Sequence, residues 1–310
     1  MPAYFPVWLE SCRRNPSIDF LLFLDTKEQF DYPSNVKVFY MDFDQQVKLF
    51  QSKFAFPICA DTPYKFCDFK VAFGEVFAEY LAGYDFWGYC DIDLIWGDIR
   101  SFVTDEVLSK YDRVYTHGHC SLWRNTPVVN SYYRTLPANG YQEWKTVFST
   151  PKKFFFEEWA GHAGGGISFI IQSNGIPYYN EPDMADIKIA YIYRLRPKHI
   201  LGFTGYLKAS NWPEVTDKRL YFHYKDGKLF ACHKGGEREC LYAHFQKRKV
   251  TIAADWNPQD YYLLSPGKIT SNSSRCGKRN RLGEASYFAS ALSGAVKRFW
   301  RWHFGGDKTL

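Results

Sequence analysis

The segment Phe86–Trp96 reads FWGYCDIDLIW, eleven residues in which Asp91 and Asp93 are the only formal charges. A run this apolar belongs inside a protein, and a carboxylate buried without a partner is strongly unfavourable. A fold that accepts the segment must bring a cation to the aspartates or leave them at the mouth of a strand. Phe86–Cys90 predicts a strand that delivers both carboxylates at its carboxyl end. Two carboxylates two residues apart can reach one divalent ion, directly or through water. Mg²⁺ or Mn²⁺ held in this way usually also takes oxygens from a diphosphate.

The surrounding sequence repeats the pattern. Ile18–Leu24 is a continuous apolar run ending at Asp25, and Val36–Tyr40 alternates before Asp42. Both read as strands. Phe69, Ala72, Phe73, Val76, Phe77, Tyr80 and Leu81 recur at helical spacing, which predicts a helix with Asp68 at its N-cap and Gly83 at its end. Tyr111–Thr116 predicts another strand, followed by His117-Gly118-His119. Between Glu158 and Glu181 there is no formal charge, but five glycines and Pro177 break the stretch too often for a membrane span. A glycine turn feeding a strand over Ile167–Ile171 is expected instead. The alternation of helix and strand signals predicts an α/β sandwich around a mostly parallel sheet. Ligands of such sheets gather at the carboxyl ends of strands, which places Asp25, Asp42, Asp91 and Asp93 on one rim.

Charge separates the chain into two parts. The 39 Lys and Arg exceed the 33 Asp and Glu by six. From Lys268 to Leu310 there are nine basic residues against two acidic ones, a net of +7, leaving −1 for everything before it. A neutral body supplies no field for phosphate backbones, so no nucleic-acid partner is expected. Ser265–Gly283 has the composition of a flexible linker. Beyond it Phe288, Leu292, Ala295, Val296, Phe299, Trp300 and His303 form one helical stripe beside Lys297, Arg298 and Arg301. The expected organisation is a body over 1–262, a basic linker over 263–284 and a basic amphipathic helix over 285–310. That helix either packs on the body or lies on an anionic membrane, the reading favoured here. The eight cysteines include no Cys-x-x-Cys pair, and Glu10, Arg13 and Arg14 interrupt any secretory h-region. Free thiols in a reducing, cytoplasmic compartment follow, peripheral on the inner face of the membrane.

In their order along the chain, several motifs carry a resemblance. They are Pro63-Tyr64-Lys65-x-Cys67-Asp68-x-Lys70, Gly88-Tyr89-Cys90-Asp91-Ile92-Asp93, Thr116-His117-Gly118-His119 with Leu122-x-Arg124-Asn125, Glu158-Trp159 to Gly164-Gly165-Gly166, and Tyr242-x-His244-Phe245-Gln246-Lys247-Arg248. Over residues 4 to 250 this resembles an uncharacterised bacterial family of GT-A-type glycosyltransferases associated with capsule and lipopolysaccharide synthesis. The resemblance implies a GT-A-like, Rossmann-like three-layer sandwich. It implies Mn²⁺ or Mg²⁺ on Asp91, Asp93 and His244, and a nucleotide-sugar donor, uridine-linked, near Lys65, Asp68, Lys70 and Asp91. Lys247 and Arg248 would lie by the leaving diphosphate. His119, Arg124, Asn125, His162 and Gly165 would meet the acceptor or a sugar, and Glu158 (or its neighbour Glu157) and Asp186 are the candidate catalytic carboxylates. The acceptor is a glycan or a lipid-linked hydroxyl. Related chains open with a strand and a nucleobase-cradling turn. Here Met1-Pro2-Ala3-Tyr4-Phe5 stands already at that turn or the first helix, so the usual first strand is expected to be missing or encoded upstream.

Plainer readings stand beside these. Lys65 and Asp68 also fit an ordinary ion pair and cap, His117 and His119 fit structural hydrogen bonding, and Gly164–Gly166 fit a tight turn. Cys232, His233, Cys240 and His244 are poorly spaced for structural zinc. An Asp-x-Asp phosphohydrolase would place the pair after the first strand, followed by Thr or Val rather than Leu94-Ile95-Trp96. A glycan-binding or scaffolding relative without turnover is the non-enzymatic alternative.

Overall fold

The computed structural model describes residues 1–158, 165–187, 199–202, 205–208, 220–233, 236–245, 250–264 and 267–278. The chain forms two compact units, one of Ser17–Ile92 and Arg100–Glu181, the other of Met1–Pro16, Asp93–Ile99 and Pro182–Leu310. The boundary falls inside the Asp-x-Asp motif, after Ile92. The helix expected over 285–310 lies outside the described residues.

In the first unit, the expected strands Phe20–Leu24 and Val36–Tyr40 pair in parallel, Phe20 opposite Val36. Asp42 caps the helix Phe43–Gln51 in a capping box with Gln45, so it is occupied locally and is not a rim ligand. A four-stranded sheet runs Phe86–Cys90, Cys120–Arg124, Arg113–His117, Tyr178–Tyr179, with the first two pairs antiparallel and the last parallel. Its core is aromatic, with Phe69, Trp87, Tyr89, Trp123, Phe148 and Phe156 all buried.

The continuous helix expected from Phe69 to Leu81 is instead three short pieces, Phe66–Phe69, a 3-10 turn Lys70–Ala72, and Phe73–Val76. Packing explains the interruption. Phe66, Phe69, Phe73 and Phe77 all converge on the single ring of Phe50. At Gly74 a Cβ would stand 2.6 Å from both the Asn130 side chain and Trp87 Nε1. Tertiary contact overrides the periodicity here. Ile167–Ile171, expected as a strand, lies in the helix Ile167–Ser173, with Ile167, Ile170 and Ile171 buried at i, i+3 and i+4. A short apolar run admits both conformations, and these buried spacings are helical.

In the second unit the helix Phe5–Arg13 carries Pro6 in its first turn, where a missing N–H costs nothing. One sheet orders Leu94–Trp96, Tyr242–His244 and Ala185–Asp186, with Tyr242–His244 in the centre. A six-stranded sheet orders Gly236–Glu239, Lys228–His233, Tyr221–Lys225, Asp260–Leu264, Lys268–Thr270 and Thr251–Ile252. Its hairpin turns on Asp226-Gly227, both at positive φ, the Asp-Gly pair that such two-residue turns select. The segment expected to become a linker at 263 is still sheet, since Leu263 pairs with Ile269 and Leu264 with Lys268.

The class is therefore mixed α/β. Among the described residues antiparallel pairs outnumber parallel ones, which differs from the mostly parallel sheet expected. Alternating helix and strand signals do not report strand direction, and several of these strands are joined by hairpins too short for a parallel crossover. All eight cysteines are free thiols. Among the described residues no helix is long and apolar enough to cross a membrane.

Candidate functional site

Each unit contributes its own cluster of charged side chains. In the first, the strand Phe86–Cys90 ends at Asp91, whose amide donates to the His119 carbonyl at 3.0 Å. The 3-10 turn aims Lys70 at the same place. Its Nζ donates to Asp91 Oδ1 at 2.8 Å and to the Gly118 carbonyl at 2.6 Å, and lies over the Tyr89 ring. Burial works against the Lys70 charge, but the Asp91 carboxylate outweighs it and pushes the ammonium above its usual range. Asp91 itself keeps an open side, 43 % exposed.

Gly118 brings in the acidic pair: a Cβ there would lie 3.2 Å from the Glu158 carboxyl carbon and 3.4 Å from Glu157 Cγ. Glu157 is buried, and its Oε2 has no hydrogen-bond partner among the described residues. Burial first, and the Glu158 charge second, push its carboxyl up to about 8. Its carbonyl is held by Arg113 and by the Tyr89 hydroxyl, both at 3.1 Å. Arg113 is fully buried, stacked on Trp123 and bonded to Ser121 and Ser168, and burial depresses it. Sequence reasoning missed Arg113, because a lone arginine in a strand gives no signal of burial. A bulge between Val114 and His117, with Tyr115 at φ 64°, re-aims the end of this hairpin. The rings of His117 and His119 stack there, 5.0 Å apart and 5° from parallel.

In the second unit His244 sits between two carboxylates. Its Nδ1 is 2.9 Å from Asp186 Oδ1 and its Nε2 is 3.4 Å from Asp93 Oδ1. Strand register causes the first approach, since His244 lies opposite Asp186 in a parallel pair. The Phe245 amide bonds to the Asp93 carbonyl and fixes the second. Burial disfavours the imidazolium, yet the hydrogen-bonded Asp186 carboxylate and then the nearby Asp93 carboxylate raise it to about 9. Asp93 Oδ1 is buried and accepts no hydrogen bond among the described residues. The Asp93 oxygen and His244 Nε2, with Asp186 orienting the ring from Nδ1, are donors that could take a cation. His244 must give up its proton to join one.

The remaining expected residues fall elsewhere. Lys65 and Asp68 are sealed, 2 % and 0 % exposed, and cannot touch a donor. Asp68 is not a helix cap either. It accepts the amides of Phe154 and Phe156, far along the chain. Arg124 pairs with Asp112 and bonds to the Leu108 and Tyr111 carbonyls, while Asn125 donates to the Leu81 and Tyr84 carbonyls. Both are taken up by backbone carbonyls of neighbouring segments rather than presented to an acceptor. At Gly165, φ 84°, a Cβ would stand 2.8 Å from the rings of Tyr141 and Phe169, so these rings and the backbone conformation account for the glycine. His162, Lys247 and Arg248 lie outside the described residues.

No curated protein and no solved structure matches this chain. A family profile does match, across residues 1–273, including both clusters and ending within the last described turns. The chain belongs to DUF6625, a family of unknown function.

Proposed function

We propose that the protein is a metal-dependent glycosyltransferase with a GT-A-like fold. It would transfer a sugar from a nucleoside diphosphate-sugar, uridine-linked, to a glycan or lipid-linked hydroxyl in bacterial surface polysaccharide synthesis. The observation that carries this reading is the buried, unsatisfied Asp93 oxygen beside His244 and Asp186. It belongs to an Asp-x-Asp motif whose other member, Asp91, ends a strand in an otherwise apolar segment.

Asp93 and His244, through Nε2, would hold the cation, with Asp91 supplying the motif's first carboxylate. A bound Mn²⁺ or Mg²⁺ would neutralise charge on the departing diphosphate. Asp186 orients the His244 ring through Nδ1, leaving Nε2 toward Asp93. Lys70 holds Asp91 in place and brings a positive charge to the same strand end. Glu158, beside Gly118, would be the base for an attacking hydroxyl, whereas the buried Glu157, protonated near neutral pH, would not accept its proton. Lys247 and Arg248 retain the role the resemblance gives them, and the basic tail that of an anchor on an anionic membrane.

Hydrolysis or transfer of UDP-sugars should require Mn²⁺ or Mg²⁺ and collapse in Asp91→Ala and Asp93→Ala. Undiminished turnover in both variants rejects the mechanism. One observation favours the non-catalytic alternative: Lys70 already neutralises Asp91. Calorimetry with UDP and Mn²⁺ separates the two, since a glycan-binding scaffold shows no metal-dependent nucleotide binding.

A further inference from the structure

Two of the exposed large apolar side chains, Tyr64 at 55 % and Phe155 at 45 %, converge on one ammonium. Lys153 Nζ lies 3.5 Å from the Tyr64 ring centroid and 4.3 Å from that of Phe155. Phe155 has φ 57°, a left-handed conformation that a bulky aromatic residue adopts only under constraint. The constraint is visible on both sides of it. Asp68 accepts the Phe154 amide at 3.0 Å and the Phe156 amide at 3.0 Å. Asp68 is in turn locked by Lys65 at 2.8 Å, whose Nζ also donates to the Val147 and Lys152 carbonyls.

Burial would ordinarily draw a phenylalanine inward, as it does Phe156. Here a sealed ion pair and the hydrogen bonds around it hold the backbone so that Phe155 faces out. Backbone strain at a single residue persists where the surroundings over-determine it, and such residues cluster at ligand clamps. The same loop runs directly into Glu157 and Glu158.

We propose that Tyr64, Lys153 and Phe155 form a docking platform for one pyranose ring of a glycan. The C–H face of a pyranose stacks on aromatic faces, and an ammonium between two rings offers N–H donors to ring hydroxyls. A nucleobase would stack as well, but the three side chains do not offer the matched donors and acceptors that read a base edge. The platform's role as an acceptor subsite rests on the glycosyltransferase reading; its binding of sugar does not.

Saturation-transfer NMR on the full chain, with the methyl glycosides of glucose, galactose and N-acetylglucosamine as probes, tests this directly. At least one probe should bind the wild-type protein, and its signal should fall about tenfold in Tyr64→Ala and in Phe155→Gly. Glycine keeps the left-handed backbone without the ring; should Phe155→Gly fail to fold, the exposed Tyr64 decides. No transfer to wild type, or unchanged transfer in the variants, overturns the platform. Calorimetry with UDP and Mn²⁺ on the same samples keeps the two readings apart. Sugar loss with nucleotide binding retained supports the platform. Sugar binding through these rings without any nucleotide binding upholds the platform and removes the transferase. Loss of nucleotide binding with sugar transfer intact assigns the rings to a base and overturns the proposal.

Discussion

The lysines of two lysine–aspartate pairs lie five residues apart, and the pairs do opposite things. Lys65 and Asp68 are closed off from solvent, and every partner they have is protein: two amides on the carboxylate, two carbonyls on the ammonium. Lys70 and Asp91 share the same 2.8 Å separation, but Asp91 keeps 43 % of its side chain exposed. The first pair has no capacity left for a ligand. The second is a carboxylate with one side held and one side open. Geometry alone does not separate a structural ion pair from a functional one; the unused coordination of the carboxylate does.

That contrast is testable in order of expected size. Asp68→Ala should destabilise the protein by about 3–5 kcal/mol in urea unfolding, because it strands a buried lysine and two amides. An effect below about 1 kcal/mol would place the pair with ordinary surface contacts.

Glu157→Gln comes next, with a stated pH dependence. The folded state holds the Glu157 proton up to about 8, whereas an unfolded glutamate releases it near 4.5. Between those values the folded state binds more protons, so wild-type stability falls as pH rises through that window. The glutamine variant, spared this loss, should gain on the order of 1–3 kcal/mol over wild type between pH 5 and pH 9. Parallel stability curves for the two proteins across that range would contradict a buried, raised carboxyl.

Asp91→Ala should have the smallest effect on folding, within about 1 kcal/mol, because its carboxylate is half open to solvent. Its activity loss should be the larger one. A variant that unfolds like Asp68→Ala would make Asp91 a second structural clamp and erase the comparison.

Much of the local structure was legible beforehand. Val36–Tyr40 and Phe86–Cys90 are strands over the residues their patterns predict, because apolar runs bounded by acidic and glycine residues admit little else. The meeting of His244 with Asp93 and Asp186 was only half legible. The resemblance paired His244 with Asp93, but the contact to Asp186 comes from strand register between segments 58 residues apart. Asp68 shows the limit most clearly. As a polar residue before a helical pattern it reads as a cap, yet its partners lie 86 and 88 residues away. The hairpin turn at Asp226-Gly227, by contrast, is written locally in its Asp-Gly pair.

What this sequence by itself determined was which segments must be buried and which carry charge into a buried setting. The apolar density around Asp91 and Asp93 is a property of eleven consecutive residues, and no tertiary arrangement changes the cost of burying them unpartnered. Only the tertiary structure decided which carboxylates were consumed and which were left open. Whether Asp68 or Asp91 finds a full set of donors depends on backbone amides, carbonyls and ammonium groups brought in from distant parts of the chain. Hydrogen bonding acts over about 3 Å and is set by where those groups are placed, which local pattern does not encode.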